Sequence, residues 1–172
     1  MTDKPDRLWS PWRLEYIDTA VKKPGGCFLC EALQAGNDRE RLILFRDELA
    51  FLIMNLYPYN NGHLLVAPYR HVGNLGDLTV NEITAIGELT RKAVSWLDKA
   101  YQPDGYNVGL NIGRIAGAGL PGHIHWHIVP RWDGDTNFMP VLGCVKVISE
   151  GLRPGYDRIK KAIDEEDDNS KG

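Results

Sequence analysis

The sequence predicts an α+β domain with a mostly antiparallel sheet of about five strands, one long helix and shorter helices. Three observations predict it. Five segments alternate or run apolar at strand length between turn residues, and one segment carries sustained helical periodicity behind a capping signal. No internal repeat or linker divides the 172 residues, 43% of them hydrophobic, so a single core is expected.

The elements follow in order. Residues 1–26 read as an irregular segment, with Pro5, Pro11, Pro24 and the pair Gly25-Gly26. It also holds Trp9, Trp12 and Tyr16, aromatic surface that is expected to pack on the domain or on a second subunit. The folded domain is expected over 27–153. CFLCEALQAG reads as a short helix or turn closed by Gly36. RLILFRD and ELAFLIM read as two strands joined by a tight turn near Asp47, and HLLVAP is a third, entered through the loop NLYPYNNG. Thr79 and Glu82 form a capping box, after which Ile83, Ile86, Leu89, Ala93 and Leu97 recur at helical spacing through Ala100. In YNVGLNI the residues Tyr106, Val108, Leu110 and Ile112 alternate as in a half-buried strand. A glycine-rich connection then leads to HIHWHIVP, the fifth strand. Beyond WDGDTNF and the apolar stretch VLGCVKVI, residues 154–172 are expected to form a short helix and an acidic, disordered tail.

Composition excludes several classes of function. Apolar runs such as AFLIM are too short to cross a bilayer, so no membrane partner is expected. The start, MTDKPDRLWSPWR, has charge and Trp where a signal peptide needs an apolar stretch, and a cytoplasmic protein is expected. A net charge of -3 gives no global attraction to nucleic acid, which leaves small molecules as partners. Three cysteines cannot all pair, and a reducing compartment argues against disulfides. Cys144 stands apart as a small core residue.

Three of the five histidines are His123, His125 and His127. A strand repeats every two residues, so all three project from one face while Ile124, Trp126 and Ile128 project from the other. Three explanations compete. A half-exposed strand can use His as its polar residue, although such faces normally mix Thr, Lys, Glu and Ser. Three imidazoles can bind zinc with an open position. Or the middle histidine can act as nucleophile between two neighbours. The preceding loop favours phosphate chemistry, because Gly113, Gly117, Gly119 and Gly122 allow backbone N–H groups to approach an anion closely. Imidazole can attack phosphorus and leave again, and it titrates near neutrality.

The segment HIHWHIV resembles the signature of the histidine triad (HIT) superfamily. NLYPYNNGHLLVAPYRH, from Asn55 to His71, resembles the superfamily's nucleotide-binding strand-loop-strand. LWSPWRLEYI, YNVGLNIG and PRWDGDTNF resemble its diadenosine tetraphosphate phosphorylase branch, and the resemblance covers roughly residues 8 to 153. It implies a HIT-like fold, an adenine nucleotide as substrate, inorganic phosphate as acceptor, a homodimer and no organic cofactor. It further implies that His125 attacks the α-phosphate, that His127 contacts phosphate or leaving group, and that His63 supports the triad by hydrogen bonding. Asn55 would hold the ribose. Ile53 and the pair Phe28-Leu29 would line the base pocket, although core packing explains these three equally well. Asn111 would face the phosphates.

One departure stands out. Where many members carry Gln or Ser followed by Ser or Thr, this chain has Gly119 and Leu120, so phosphate falls to backbone N–H groups, Asn111 or Arg114. Asn137 is expected to return toward the site.

Cys27 and Cys30 form a C-x-x-C pair, ambiguous on its own between zinc, redox chemistry and accident. The resemblance implies a structural zinc held by Cys27, Cys30, His71 and His123. The expected activity is phosphorolysis of dinucleoside polyphosphates such as diadenosine tetraphosphate. Hydrolysis of these or of nucleoside phosphoramidates with release of AMP is the alternative, and a non-catalytic nucleotide sensor is the alternative of another class.

Overall fold

The computed structural model of the protein describes residues 26–143 and 146–169. The irregular segment with Trp9, Trp12 and Tyr16 lies outside the described residues, as does Cys144. The chain forms α1 (Phe28–Gln34), α2 (Asp38–Arg41), β1 (Ile43–Arg46), β2 (Ala50–Met54) and β3 (Leu64–Pro68). After a 3-10 turn at Leu75–Asp77 come α3 (Val80–Tyr101), β4 (Gly105–Leu110), β5 (Trp126–Arg131), α4 (Met139–Gly143) and α5 (Leu152–Asn169). The five strands make one antiparallel sheet in the order β1-β2-β3-β5-β4.

Local chemistry explains most boundaries. The Cys27 side chain accepts the Cys30 N–H at the start of α1, and Gly36 follows its end with φ of 70°, a conformation glycine adopts without strain. The β1–β2 turn closes by the Asp47 N–H donating to the Ala50 carbonyl at 2.9 Å. The capping box of α3 is complete: the Glu82 N–H donates to Thr79 Oγ1 at 3.2 Å, and the Thr79 N–H donates to Glu82 Oε2 at 2.8 Å. Arg70 adds two bonds to the same carboxylate, at 2.8 and 2.7 Å.

β2 and β3 are buried on both faces. α3 covers one of them. Its Trp96 ring packs 5.1 Å from Phe45, and the Tyr106 hydroxyl donates to Asp98 at 2.8 Å. Ile86, Leu89, Ala93, Trp96 and Leu97 form the buried stripe, whereas Ile83, expected within it, stays 45% exposed one turn too early to reach the sheet.

Two expectations are corrected. The fifth strand starts at Trp126 rather than His123, because the preceding residues turn aside to bond other loops: the Ile124 N–H donates to the Val72 carbonyl at 2.7 Å. Part of the apolar stretch after Phe138 belongs to helix α4. The C-terminal helix is not short. α5 runs 18 residues through the acidic run, with no disordered tail up to Asn169. Leu152, Tyr156, Ile159 and Ile163 put an apolar stripe on the core, and the Tyr156 hydroxyl donates to the Ile43 carbonyl at 3.0 Å. Asp164, Glu165 and Glu166 pair with Lys160, Lys161 and Lys99, and Asp157 pairs with Arg39 at 2.8 Å. The folded unit therefore continues past residue 153, where the domain was expected to end.

Candidate active site and metal-ligating group

The register of the sheet assembles the site. Asn55 follows β2, His63 precedes β3, and the pairings Ile53↔Leu65 and Leu65↔His127 place Asn55, His63 and His127 on the face opposite α3. The Asn55 N–H donates to the His63 carbonyl at 2.9 Å, which continues the ladder into the loop. His63 and His127 rings lie 5.2 Å apart, and His127 and His125 rings 5.0 Å apart.

Hydrogen-bond partners assign the protons. The Tyr59 N–H can only donate, and it meets His63 Nδ1 at 3.0 Å. His63 therefore carries its proton on Nε2, which donates to His127 Nδ1 at 2.9 Å. The proton of neutral His127 then resides on Nε2. His125 Nδ1 lies 2.8 Å from the His123 carbonyl, which can only accept, so Nδ1 holds the proton and Nε2 keeps its lone pair. The His125 Nε2 lone pair thus stands in the same cluster as a His127 Nε2–H.

Burial, with the charges of His127 and His125 adding to it, pushes the His63 pKa down to about 3. Burial also lowers the His125 pKa, partly opposed by its bond to the His123 carbonyl. The consequence for stability has a definite sign. Between about pH 6.5, where the unfolded His63 titrates, and about pH 3, the unfolded chain binds the extra proton. Stability from His63 is thus complete above pH 6.5 and falls as pH drops, by about 1.4 kcal/mol per unit well below 6.5. Melting curves from neutral to acid pH should show this slope, and His63→Gln should flatten it by close to one proton. An unchanged slope would rule out the buried neutral imidazole.

The other expected residues divide. The Asn55 amide lies 3.2 Å from His63 Nδ1 and accepts the Tyr57 N–H at 3.0 Å, so it orders the loop beside the triad. Leu29 and Ile53 are core residues at 0% and 3% exposure, whereas Phe28 is on the surface of α1. Asn111 lines a cavity of about 400 Å³ together with Tyr59, Asn60, Asn107, His127 and Arg131. Gly119 is exposed in the loop before the triad and does not line that cavity. Arg114 is likewise exposed and outside it. Gly113 and Gly117 have φ of 80° and 91°, which the turn requires. Gly122 faces His71 rather than an anion, since a Cβ there would sit 3.3 Å from His71 Nε2. Asn137 does not return to the site, because its side chain accepts the Met139 N–H at 2.9 Å at the start of α4.

Sequence inspection missed Tyr59, Arg131, Asp135 and Lys146. The Tyr59 ring stacks at 14° on His127, 5.9 Å away. Arg131 continues the period-two face of His127, a signal present in the sequence, and it donates to Asn107 at 2.8 Å and to Asp135. Arg131, followed by the Asn60 and Thr136 side chains, holds the Asp135 carboxyl well below the usual range. Tyr59, Asp135 and Lys146 lie in loops, where no periodicity marks them.

A separate cluster lies behind the triad. The ligand atoms of Cys27, Cys30, His71 and His123 all fall within 4.8 Å of one another. His123 Nδ1 is 3.2 Å from Cys27 Sγ and 3.5 Å from Cys30 Sγ, and His71 Nδ1 is 3.4 Å from Cys30 Sγ. His123 Nε2 donates to the Pro68 carbonyl at 2.8 Å, which turns the Nδ1 lone pair toward the thiols. Burial pushes the Cys27 thiol up to about 11. Two thiols and two imidazoles at these separations can hold a tetrahedral cation, for which S–N edges of about 3.5 Å follow from bond lengths near 2.0–2.3 Å.

Comparison with known proteins agrees with this geometry. The HIT domain family model matches residues 37–134. The AP-4-A phosphorylase of Mycobacterium tuberculosis is 42% identical over 157 residues, 88% of this chain and 80% of that protein. The asymmetrical bis(5'-nucleosyl)-tetraphosphatase of Schizosaccharomyces pombe is 37% identical over 93 residues, 54% of this chain and 50% of that protein. A crystal structure of a hypothetical histidine triad nucleotide-binding protein from Sulfolobus tokodaii has a TM-score of 0.65 at 26% identity, covering 81% of this chain and 93% of that chain. No helix among the described residues is long and apolar enough to cross a membrane.

Proposed function

The chain belongs to the HIT domain family, and we propose on that basis that it cleaves dinucleoside polyphosphates by nucleotidyl transfer to phosphate. The observation that carries this is the proton arrangement: His125 with Nε2 as lone pair, beside a His127 whose Nδ1 is occupied by His63. In the first step His125 Nε2 attacks the α-phosphorus, the bond to the bridging oxygen breaks, and the nucleoside triphosphate leaves with a proton from His127 Nε2. In the second, an oxygen of hydrogenphosphate attacks the same phosphorus, its proton passes to His127 Nε2, and the P–N bond breaks. Diadenosine tetraphosphate plus phosphate thus gives ATP and ADP, and both histidines return to their starting states. His63 is a positioning residue, aligning His127 through the 2.9 Å bond.

Cys27, Cys30, His71 and His123 fit zinc by donor type and spacing. The ion would tie α1 to the two loops that meet beside Gly73 and Gly122, where a Cβ on Gly73 would lie 2.6 Å from the Pro121 carbonyl oxygen. Its chemistry when bound is structural, since a set of four protein ligands leaves no open position for substrate. The edge strand β4 exposes Val108 at 49%, which suits pairing with a second subunit in a homodimer.

Water in place of phosphate is the second possibility, favoured by one observation: Gly119 and Leu120 offer no polar side chain for an acceptor phosphate. Product analysis of diadenosine tetraphosphate turnover decides. ADP plus ATP formed only when phosphate is present is the expected outcome. AMP plus ATP, with or without phosphate, makes the protein a hydrolase.

A further inference from the structure

Two cavities that share Lys146 differ in character, and the larger lies beside His127. The larger, about 400 Å³, has a mixed lining, with the polar Asn111, Arg131, Lys146 and His127 beside the apolar Leu110 and Val129. The smaller, about 190 Å³, is formed by Leu56, Tyr57, Pro58 and Ile148. Lys146 lines both and so stands at their junction. The loop between β2 and β3 also serves both, with Tyr59 turned to the first and Tyr57 to the second.

We propose that these cavities form a leaving-group subsite for the nucleoside triphosphate half of the substrate, with phosphates on Arg131 and Lys146 and the second nucleoside against Tyr57. This rests on the nucleotidyl-transfer function. Three features carry it. First, the position: His127 donates its proton to the departing oxygen, so the departing chain must begin at the cavity that His127 lines. Second, the charge: Arg131 and Lys146 share one carboxylate, Asp135, at 3.1 and 3.7 Å, and the three groups together leave one positive charge. The shared carboxylate holds the guanidinium in place, and Asn60, buried at 6% exposure, donates to it at 2.8 Å and to the Pro130 carbonyl at 2.9 Å. Third, the order of polarity: a cationic cavity next to the reacting phosphorus, then an apolar slot with an aromatic ring, matches a polyphosphate chain ending in a nucleoside base. The base need not be adenine, because stacking on Tyr57 accepts any base.

The test compares two donors that share the adenylyl group, diadenosine tetraphosphate and adenosine 5'-phosphoramidate. Only the first has a leaving group long enough to reach Lys146 and Tyr57. The ratio of kcat/KM between them should fall about 10- to 100-fold in Lys146→Met and about 10-fold in Tyr57→Ala, while Lys146→Arg should keep it. Inhibition by ATP should weaken in parallel in the first two variants. A ratio and an ATP inhibition that stay at wild-type values in both overturn the subsite, and so does an equal loss on both donors. A wild-type protein inactive on both donors instead overturns nucleotidyl transfer itself, and the subsite with it.

Discussion

His125→Asn is expected to lower turnover of diadenosine tetraphosphate by about 10⁴-fold or more, with nucleotide affinity changed only a few-fold. The amide occupies less volume than imidazole and can still donate to the His123 carbonyl, so the local backbone bond survives. What disappears is the Nε2 lone pair that bonds to phosphorus. A nucleotide sensor would behave differently, since the wild-type chain would show no turnover and the substitution would alter nothing but binding. Denaturing mass spectrometry of wild-type protein quenched during turnover should find one AMP attached per chain, and none on the variant. Retention of turnover by the variant would sink the histidine mechanism altogether.

Chelation of the metal is expected to lower the melting temperature by about 5–15 °C and to leave the activity of the chains still folded nearly intact. The size follows from two relations. A ligand at about 100 to 1,000 times its dissociation constant stabilises the folded state by about 3–4 kcal/mol. In a chain of this length each kcal/mol moves the midpoint by about 2–4 °C. The raised Cys27 pKa adds a further signature, because the thiol must lose its proton to the metal, so zinc binding should release protons and weaken in acid. Elemental analysis should find one zinc per chain, and Cys30→Ser should reproduce the chelator's effect. Activity that vanishes on chelation while the protein remains folded would place the ion in the chemistry and contradict the four-ligand assignment.

Much of the fold was legible because it is encoded at short range. The Thr79 and Glu82 pair marks the start of α3, and the alternation of β5 marks which residues share a face. The triad, the two thiols and His63 were also visible, as a few chemically distinctive side chains in distinctive spacings. Where local signals conflicted, the sequence misled. The acidic run of α5 reads as disordered, yet Tyr156, Ile159 and Ile163 bury a stripe that holds the whole helix on the core. Leu29 and Ile53 could serve a pocket or the core, and only packing decides for the core.

The sequence by itself determined the class of fold and the family. These depend on periods of two and of three to four residues and on rare residue types, all of which a linear pattern contains. Tertiary structure decided which ring nitrogen holds each proton, because the Tyr59 N–H, the His123 carbonyl and the His63–His127 contact are matters of distance and direction. It also decided that Arg131 and Lys146 share Asp135 beside His127. Lys146 stands in a loop far along the chain from Tyr57 and His127, and its place follows from loop closure and packing across the sheet, for which no local pattern exists.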